Sequence, residues 1–542
     1  MSTVVTREEA QRLGVRVPQG PPGPPALPVA VAGGASHPWL SGLSVLIGTF
    51  MVVLDATVVN VSLPHIAGNL SASVEESTWA LTSYLTANAI VLPITGWLAS
   101  YFGRKRLLLL SVASFTLMSL ACGSAPSLAL LIVCRLLQGA SGGVMQPLSQ
   151  AIMLEAFPRE ERGKAMAVWG LGIIVAPILG PTLGGWLTYN YSWRWVFYIN
   201  LPVGITAFLL IRHFITDPPY IRRASNIIDA YGLALLAIGI GALQIALDQG
   251  QEEDWFSSNR IVGLVVVAAI ALPIFIWHEM HSRHPIVDLR VFRERTYAIG
   301  VAIMTLHGFV LFGSLMLLPI FLQTLMGYPP LQAGIAMSPR GVGSLLITPV
   351  VAVMMSRGDP RKMLALGFVT VSFTLFWFAK LNLNVGYWDI FWPQIVQGIG
   401  LGMMFVPLTT ISMDPIAKER MGNATSLFNL MRNIGSSVGV AIMQTLLTRH
   451  RQVYTNVLGT HVTQYDFGTH AMLESLRSAF MARGADVVTA TDQARAALFG
   501  MVQKQAAMLS FADAYRLLAV LLLVAMPLVF LMRRPATKTY SA

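Results

Sequence analysis

Two charged side chains of opposite sign lie inside long apolar segments near the start of the chain. Asp55 falls in the segment 41–62 and Arg135 in the segment 127–150. A charged group at the centre of a hydrocarbon layer costs several kcal/mol, so such residues generally face a cavity and a partner. Low dielectric favours the protonated form of a buried carboxyl, which suits an aspartate that binds and releases a proton. We therefore predict that Asp55 is a proton-coupling residue and that Arg135 faces a cavity and a partner.

Both residues also have structural interpretations that the sequence leaves open. Asp55 could be hydrogen-bonded within the packing, and Thr57 and Asn60 could be its partners under either interpretation. Arg135 could instead extend its aliphatic stem toward the external end of its segment and place the guanidinium in the membrane interface.

The composition indicates the medium in which these charges function. Of the 542 residues, 54% are hydrophobic and 12% are charged, against roughly 45–50% and 25% in soluble domains. The mean hydropathy of +0.62 is spread along the chain, which excludes a soluble protein with a single anchor. The sequence therefore predicts an all-α polytopic membrane protein.

Other function classes are excluded by what the sequence lacks. The two cysteines, Cys122 and Cys134, cannot form a disulfide framework or a zinc site. No Gly-x-x-x-x-Gly-Lys-Ser/Thr string is present, so a primary pump would need a separate ATPase subunit. The net charge of +11 occurs without a basic stripe interleaved with aromatic residues, which argues against nucleic acid as a partner. We expect no enzymatic activity, no metal site and no cofactor.

Apolar runs long enough to cross a bilayer, about 20 residues each, occur fourteen times between charged or Pro/Gly-rich breaks. The third and fourth runs are separated only by Gly123 to Ser127, where Pro126 favours two helices joined by a tight turn. The runs lie at 41–62, 78–99, 107–124, 127–150, 166–187, 196–214, 229–247, 261–279, 297–322, 331–355, 363–381, 389–412, 424–447 and 514–532.

The charges between the runs separate by side of the membrane. Every second connection is rich in Lys and Arg, whereas the others are short and neutral or acidic, as at Glu75-Glu76. Because cytoplasmic loops carry the excess of Lys and Arg, these connections and both tails are predicted to be cytoplasmic, in a cytoplasmic (inner) membrane. The long segment 448–513 is mixed in charge and predicted to be external, with helices at 471–483 and 491–507.

Short strings recur in the two halves of the chain at an offset of about 258 residues. Arg104-Lys105 recurs as Arg361-Lys362 and Gln138-Gly139 as Gln397-Gly398, at offsets of 257 and 259. Runs nine to fourteen therefore repeat runs one to six, and runs seven and eight have no counterpart. The carboxylate of Asp55 is not part of the repeat, since the position 258 residues later is Gly313.

This plan of six helices, a two-helix insertion and six more helices divides the chain into five segments. Residues 1–38 contain the Pro/Gly-rich stretch from Pro18 to Pro28 and are predicted to form a disordered cytoplasmic tail. The N-terminal half is predicted at 39–216, the insertion at 217–290 and the C-terminal half, including the segment 448–513, at 291–533. Residues 534–542 would form the second cytoplasmic tail.

Two six-helix halves related by a pseudo-twofold axis along the membrane normal are the plan of the major facilitator superfamily, with the substrate site between the halves near the midplane. The connection between runs two and three resembles the cytoplasmic gate signature of that family through Gly96, Gly103, Arg104 and Lys105. Ser100 stands near the position where the family usually has an acidic residue, so the usual charge partner of the gate is missing. A purely topogenic role for the basic residues is the alternative.

The fifth run contains small residues and prolines that permit close backbone approach and a bend. They resemble the antiporter motif of drug exporters, which favours export over import, although a packing role alone is compatible with each of them. The residues are Gly172, Pro177, Gly180, Pro181, Gly184 and Gly185.

Two longer strings are the most specific in the chain, LDATVVNVSLP at 54–64 and SWRWVFYINLP at 192–202. With them, the sequence from about residue 39 to residue 533 closely resembles the fourteen-span drug:proton antiporters of the EmrB/QacA type. The resemblance implies the major facilitator fold with 14 transmembrane helices as 6+2+6, and a proton gradient as the energy source. In the family, the arginine that matches Arg135 is tied to proton relay, so the resemblance makes Arg135 the second predicted proton-coupling residue.

The same resemblance implies a proton-coupled exporter of lipophilic or amphipathic drugs and toxic compounds. An exporter of one metabolite, such as a siderophore, a fatty acid or an aromatic acid, would have the same features, and a non-transporting receptor is the remaining alternative. Family members of the EmrB type work with a periplasmic adaptor and an outer-membrane channel. The segment 448–513 is a candidate docking surface for the adaptor, with a solvated variable loop as the alternative. The other expected partners are small lipophilic substrates, protons and membrane lipid.

Further polar residues inside the runs are candidates for lining a substrate cavity. Arg340, Arg432 and Asn433 could face such a cavity or brace Asp414 at the inner end of run twelve. The lone His307 in run nine is more typical of a packed core residue. The candidates are Asn60, Gln138, Gln146, Arg340, Gln397, Arg432 and Asn433.

Overall fold

The computed structural model describes residues 38–158, 161–217, 229–282, 285–463 and 465–533. Within these ranges the chain is helical and has no β-strand, which confirms the predicted all-α class. Long apolar runs form helices because backbone N–H and C=O groups in an apolar layer must find their partners within the same segment. Both predicted tails lie outside the described residues, apart from Pro38, which begins the first helix.

The N-terminal half consists of helices that follow the first six predicted runs. Runs three and four are two helices, as predicted, and the Ser127 hydroxyl caps the second by accepting the Leu130 N–H at 3.4 Å. The helices are α1 (Pro38–Asn69), α2 (Val74–Val91), α3 (Thr95–Phe102), α4 (Arg104–Gly123), α5 (Leu128–Ala156), α6 (Arg162–Asn190), α7 (Trp195–Tyr198) and α8 (Asn200–Phe214).

The insertion and the C-terminal half continue the same pattern. The insertion contributes α9 (Ala230–Gln249) and α10 (Asn259–His281). The C-terminal helices are α11 (Arg295–Ile320), which continues as a π-helical turn (Phe321–Leu325), α12 (Pro330–Met337), α13 (Pro339–Arg357), α14 (Pro360–Phe378), α15 (Tyr387–Met413), α16 (Met421–Gly459), α17 (Phe467–Ala482), α18 (Val487–Ala525) and α19 (Leu528–Leu531).

Within the described ranges, eleven helices are long and apolar enough to cross a membrane, or thirteen if each of two bent pairs counts as one span. The first pair is α2 with α3, bent by 64°, and the second is the two parts of α6, bent by 44°. Helix α16 contains the predicted run 424–447 but is not among the thirteen, because polar residues such as Arg432 and Asn433 lower its hydropathy. The number of fourteen spans is consistent with the structure and stays a prediction.

The segment 448–513 is mostly helical in the structure. Its first residues continue α16 to Gly459, α17 lies in its middle, and α18 begins at Val487 and runs on through the last predicted span. The two predicted helices of this segment are confirmed and are longer than predicted. The segment is therefore a helical hairpin continuous with α16 and α18, the helices that contain the two flanking predicted runs.

The two halves meet at the end of the molecule that carries the predicted cytoplasmic connections. A Cβ atom built on Gly96 of α3 would lie 2.8 Å from the Cα of Asn423 at the start of α16, so only glycine permits this approach. Asn423 is held in turn by its side-chain Nδ2, which donates to the Asp288 carbonyl at 2.8 Å. The halves are thus closed against each other at this end.

Candidate functional site

The two predicted proton-coupling residues lie in direct contact. Arg135 on α5 donates from Nη1 to Oδ2 of Asp55 on α1 at 2.5 Å, and neither side chain has exposed surface. Arg135 also donates from Nε to the Ala80 carbonyl at 2.9 Å and from Nη1 to Oε1 of Gln138 at 2.9 Å. The Tyr84 ring lies over the guanidinium, and Cζ of Arg135 is 4.0 Å from the ring centroid. Arg135 therefore points into the N-terminal half and not toward the membrane interface.

The second oxygen of the Asp55 carboxylate accepts from two amides. Asn200 at the start of α8 donates from Nδ2 to Oδ1 at 2.7 Å, and Gln138 donates from Nε2 at 3.2 Å. Asn200 also reaches the Ser119 hydroxyl on α4 at 3.0 Å. Asn200 was not among the predicted site residues. A signal was available in the sequence, because Asn200 is a polar residue within the specific string at 192–202.

The prediction that Thr57 and Asn60 are partners of Asp55 is wrong. Thr57 donates its hydroxyl to the Leu54 carbonyl of its own helix at 2.9 Å, which a threonine inside a helix commonly does. Asn60 lies further along α1 with its side chain exposed. The partners of Asp55 come from α5 and α8, which are distant in the sequence.

The glycines of the antiporter-like motif bring α6 against the turn of α1 that follows Asp55. A Cβ atom on Gly180 would lie 2.1 Å from Oγ1 of Thr57, and one on Gly184 would lie 2.7 Å from the Val58 carbonyl oxygen. Gly172 packs in the same way on the Leu46 side chain, whereas Gly185 has no neighbour closer than 3.8 Å. The bend of α6 lies between Pro177 and Thr182, and Pro181 falls inside it. The motif therefore sets the distance between α6 and the helix that carries Asp55.

The gate-like connection between α3 and α4 has acidic partners that the sequence did not reveal. Arg104 forms an ion pair with Glu155 at the end of α5, and both side chains are buried. The Lys105 N–H donates to Oδ1 of Asp217 at 2.8 Å. Gly103 has a φ of +84°, and a Cβ atom there would lie 2.9 Å from Oδ2 of Asp217. Glu155 and Asp217 thus provide the negative charge that Ser100 lacks.

The predicted polar residues of the C-terminal half do not join the Asp55 cluster. Arg340 on α13 donates from Nε to Oε1 of Gln394 on α15 at 2.7 Å. Its Nη1 and the Oε1 of Gln397 are buried without a partner among the described residues. Arg432 on α16 is also buried, and its Nε and Nη1 have no hydrogen-bond partner among the described residues. Of the remaining candidates, Gln146 is buried and Asn433 is half-buried.

The described residues contain no group of three or more His, Cys, Asp or Glu side chains that could hold a metal ion. The two cysteines, Cys122 and Cys134, are free and buried. The polar chemistry of the described part of the chain therefore lies in its ion pairs, amides and uncompensated arginines.

Comparisons with known proteins agree with this architecture. The family model of the Major Facilitator Superfamily matches residues 45–440. The crystal structure of the human organic anion transporter MFSD10 (TETRAN) is similar with a TM-score of 0.55 and 14% identity, covering 90% of this chain and 99% of that chain. At this identity the similarity supports the fold alone.

Relatives with similar sequences span most of the chain. The multidrug export protein EmrB of Haemophilus influenzae is 39% identical over 429 residues, which are 78% of this chain and 83% of that protein. EmrB of Escherichia coli K12 is 39% identical over 80% of this chain and 85% of its own length. The fatty acid resistance protein FarB of Neisseria gonorrhoeae is 38% identical over 81% and 86%. This chain is therefore a multi-pass membrane protein that belongs to the Major Facilitator Superfamily and, within it, to the EmrB-type transporters.

Proposed function

We propose that this chain is a proton-coupled secondary exporter that moves lipophilic or amphipathic compounds out across the cytoplasmic membrane in exchange for protons. The observation that carries the proposal is the ion pair of Asp55 and Arg135, which has no exposed side-chain surface and joins helices of the N-terminal half. The relatives named as multidrug export proteins support the direction and the class of cargo.

A buried ion pair by itself contributes little to the stability of a fold. The desolvation of two charges often cancels their attraction, and apolar replacements of similar volume are frequently as stable. An aspartate within a closed apolar layer is better explained by a task that needs a titratable group. Proton uptake and release is the task that a carboxylate performs without a metal or a cofactor.

The contacts of Arg135 allow Asp55 to change its protonation state. When Asp55 takes up a proton, its oxygen ceases to be a charged acceptor for Nη1. Arg135 then still has the Ala80 carbonyl, Oε1 of Gln138 and the face of the Tyr84 ring. The guanidinium therefore keeps favourable partners in both states of Asp55.

Asp55 lies where a change in its protonation would affect the packing of several helices. The carboxylate is bonded to side chains of α5 and α8, and the next residues of α1 contact the glycines of α6. Loss of the negative charge weakens the bonds that hold these helices together at one level of the membrane. We propose that this change alters the balance between the two access states of the transporter.

The orientation and the partners are part of the same proposal. The basic connections, such as the one containing Arg104, would lie in the cytoplasm together with both termini. The helical hairpin formed by the end of α16, by α17 and by the start of α18 would then project outside and receive a periplasmic adaptor that leads to an outer-membrane channel. Tyr465, in the connection between α16 and α17, and Phe467, the first residue of α17, are 88% and 87% exposed, which supports a docking role.

The proton-coupling role is tested in proteoliposomes with an imposed pH gradient. Wild-type protein should accumulate a fluorescent amphiphile against its gradient, and addition of the amphiphile should move protons detected by trapped pyranine. Asp55→Asn should abolish both signals and keep exchange of labelled for unlabelled amphiphile without a pH gradient. Asp389→Asn, at an exposed helix start, is the matched control and should behave as wild type. An Asp55→Asn protein that still accumulates amphiphile would refute the proposal.

The adaptor is tested by replacing residues 461–485 with a short Gly/Ser turn. Transport in proteoliposomes, which contain no adaptor, should be unchanged. Drug resistance of cells that express the variant should fall to the level of cells without the gene. Resistance equal to wild type would show that the hairpin does not dock an adaptor.

A further inference from the structure

A second buried polar cluster lies where the two halves face each other, and the proton-coupling proposal does not use it. Gln150 on α5 and Trp169 on α6 come from the N-terminal half, and His307 on α11, Phe405 on α15 and Arg432 on α16 from the C-terminal half. Each of the five has at most 4% of its surface exposed. We refer to these residues as the interface cluster.

Contacts between side chains hold the interface cluster together across the halves. The Trp169 and Phe405 rings are stacked with centroids 5.9 Å apart and planes inclined by 20°. Asn429, one turn before Arg432 on α16, donates from its amide to Oε1 of Gln150. The cluster is therefore a place where the faces of the two halves touch through aromatic rings and amides.

Arg432 and His307 belong to the same level of this interface. A Cβ atom built on Gly308 would lie 3.1 Å from Cγ of Arg432, so the stem of Arg432 runs along α11 next to His307. The His307 ring centroid lies 6.0 Å from that of Phe405. The guanidinium, the imidazole and the stacked rings therefore border one region.

The polar atoms of this region lack partners. Nε and Nη1 of Arg432 and Nδ1 of His307 are buried and accept or donate no hydrogen bond within the described residues. The fully buried polar residues that the structure describes in the C-terminal half include Arg340, Arg432 and His307 but no carboxylate. The described residues of the C-terminal half therefore offer no buried carboxylate to compensate the positive charge of Arg432.

An uncompensated guanidinium in a membrane interior costs several kcal/mol, and such residues generally mark the path of an ion or a substrate. Arginine presents a planar fork of N–H donors that matches a carboxylate or a similar oxyanion. Stacked aromatic rings bind the flat or apolar body of a ligand, and a cationic ligand at the same place would be repelled by Arg432.

We infer that the interface cluster binds the head group of an amphipathic organic anion. Arg432 is the direct donor to the anion and His307 is a second polar contact, while Trp169 and Phe405 enclose the apolar body. The inference rests on the proposed export function and names its substrate class. Because the rings and the amides of Gln150 and Asn429 join the two halves, a ligand that enters here separates contacts between them.

The test uses three probes that share one ring system and differ in charge. They are naphthalene-2-carboxylate, which is ionised at neutral pH, naphthalene-2-carboxamide and 2-naphthylmethylammonium. Binding to the full-length protein in lipid nanodiscs is measured by isothermal titration calorimetry without a pH gradient. The variants are Arg432→Gln, Arg432→Lys and, as a charge-removal control on the external hairpin, Arg477→Gln.

Wild type and Arg477→Gln should bind the carboxylate about tenfold or more tightly than the carboxamide, since a hydrogen bond to a charged group contributes about 1.5–3 kcal/mol. The ammonium probe should bind more weakly than both. Arg432→Gln should lose this preference for the carboxylate and keep the affinity for the carboxamide within about twofold. Arg432→Lys, which keeps the charge and loses the fork, should retain part of the preference.

Two outcomes would overturn the inference. One is a wild-type protein that binds the carboxylate no more tightly than the carboxamide, which needs no variant and holds even if Arg432→Gln does not fold. The other is an Arg432→Gln protein that loses affinity for both probes equally, as expected for a structural role. Binding is measured without proton movement, so a failure here is distinct from a failure of proton coupling at Asp55.

Discussion

Arg135 in the N-terminal half and Arg340 in the C-terminal half are both almost completely buried, and the internal repeat relates their surroundings. The position 259 residues after Arg135 is Gln394, and Arg340 from the adjacent helix α13 donates to that glutamine at 2.7 Å. In the N-terminal half the guanidinium bonds a carboxylate, and in the C-terminal half it bonds a neutral amide. One half therefore carries a neutral ion pair and the other carries a net positive charge.

Under the proposed function and the inferred anion site, this difference corresponds to separate tasks for halves that share one fold. A neutral pair at Asp55 can exchange a proton and leave Arg135 with other acceptors, which suits coupling. A surplus of positive charge at Arg340 and Arg432 cannot exchange a proton with a carboxylate, but it can attract an anion. The repeat thus conserves the positions of helices while the polar chemistry diverges.

The largest effect should come from removing Arg135, and the equivalent removal of Arg340 in the other half is its comparison. Arg135→Gln leaves Asp55 as a buried carboxylate without a counter-charge, which should lower the free energy of unfolding by about 3–5 kcal/mol. Arg340→Gln removes a charge that has no carboxylate partner, so the change should be within about 1 kcal/mol. Unfolding with sodium dodecyl sulfate in bicelles, followed by circular dichroism, measures both values. Equal losses for the two variants would contradict the comparison.

A second prediction concerns the replacement of both charged residues of the Asp55–Arg135 pair by neutral amides. The double variant Asp55→Asn with Arg135→Gln should be more stable than Arg135→Gln alone, because no buried charge remains. A double-mutant cycle should give a coupling energy of about 2 kcal/mol between the two positions. Asp55→Asn alone should lose less than Arg135→Gln, since Arg135 keeps the Ala80 carbonyl and Gln138. Additive losses would show that the two residues do not act as a pair.

The sequence predicts the helices well because hydropathy and helix formation have the same cause in an apolar medium. The prediction is weakest at α16, where Arg432 and Asn433 reduce the hydropathy, and at 448–513, where amphipathic helices extend beyond the apolar runs. Helix ends in such regions depend on neighbouring helices. A rule based on the composition of one segment takes no account of those neighbouring helices.

The site is predictable only as far as single residues are unusual. Asp55 and Arg135 stand out because a charge inside an apolar run is visible in one segment. Asn200 and Glu155 escaped prediction as partners, because their roles depend on which helices meet in space. The interface cluster is hidden for the same reason, since its residues come from both halves of the chain and none of their sequence spacings reports the contact.

A third prediction concerns the close contact of α6 with α1, which exists beside the ion pair of the N-terminal half. Gly184→Ala places a Cβ atom 2.7 Å from the Val58 carbonyl and should destabilise by about 2 kcal/mol through overpacking. The adjacent Gly185→Ala is the matched control, because its nearest neighbour lies 3.8 Å away. If the contact positions α1 for coupling, Gly184→Ala should also reduce proton-driven transport. Identical stability and transport for the two variants would show that the close contact at Gly184 has no role in proton coupling.

The smallest effect should come from the basic connections that the repeat relates, where the halves again differ in burial. Arg104 pairs with Glu155 and each side chain is 6% exposed, whereas Arg361 pairs with Asp359 and the two are 14% and 17% exposed. Glu155→Gln should cost about 1.5 kcal/mol, since it weakens a buried charged bond. Asp359→Asn should cost only about 0.5 kcal/mol, because a more exposed pair is better screened and Arg361 keeps its bond to the Met532 carbonyl at 2.9 Å. Raising the salt concentration should reduce the smaller effect and leave the larger one. An Asp359→Asn loss equal to that of Glu155→Gln would mean that burial does not distinguish the two halves here.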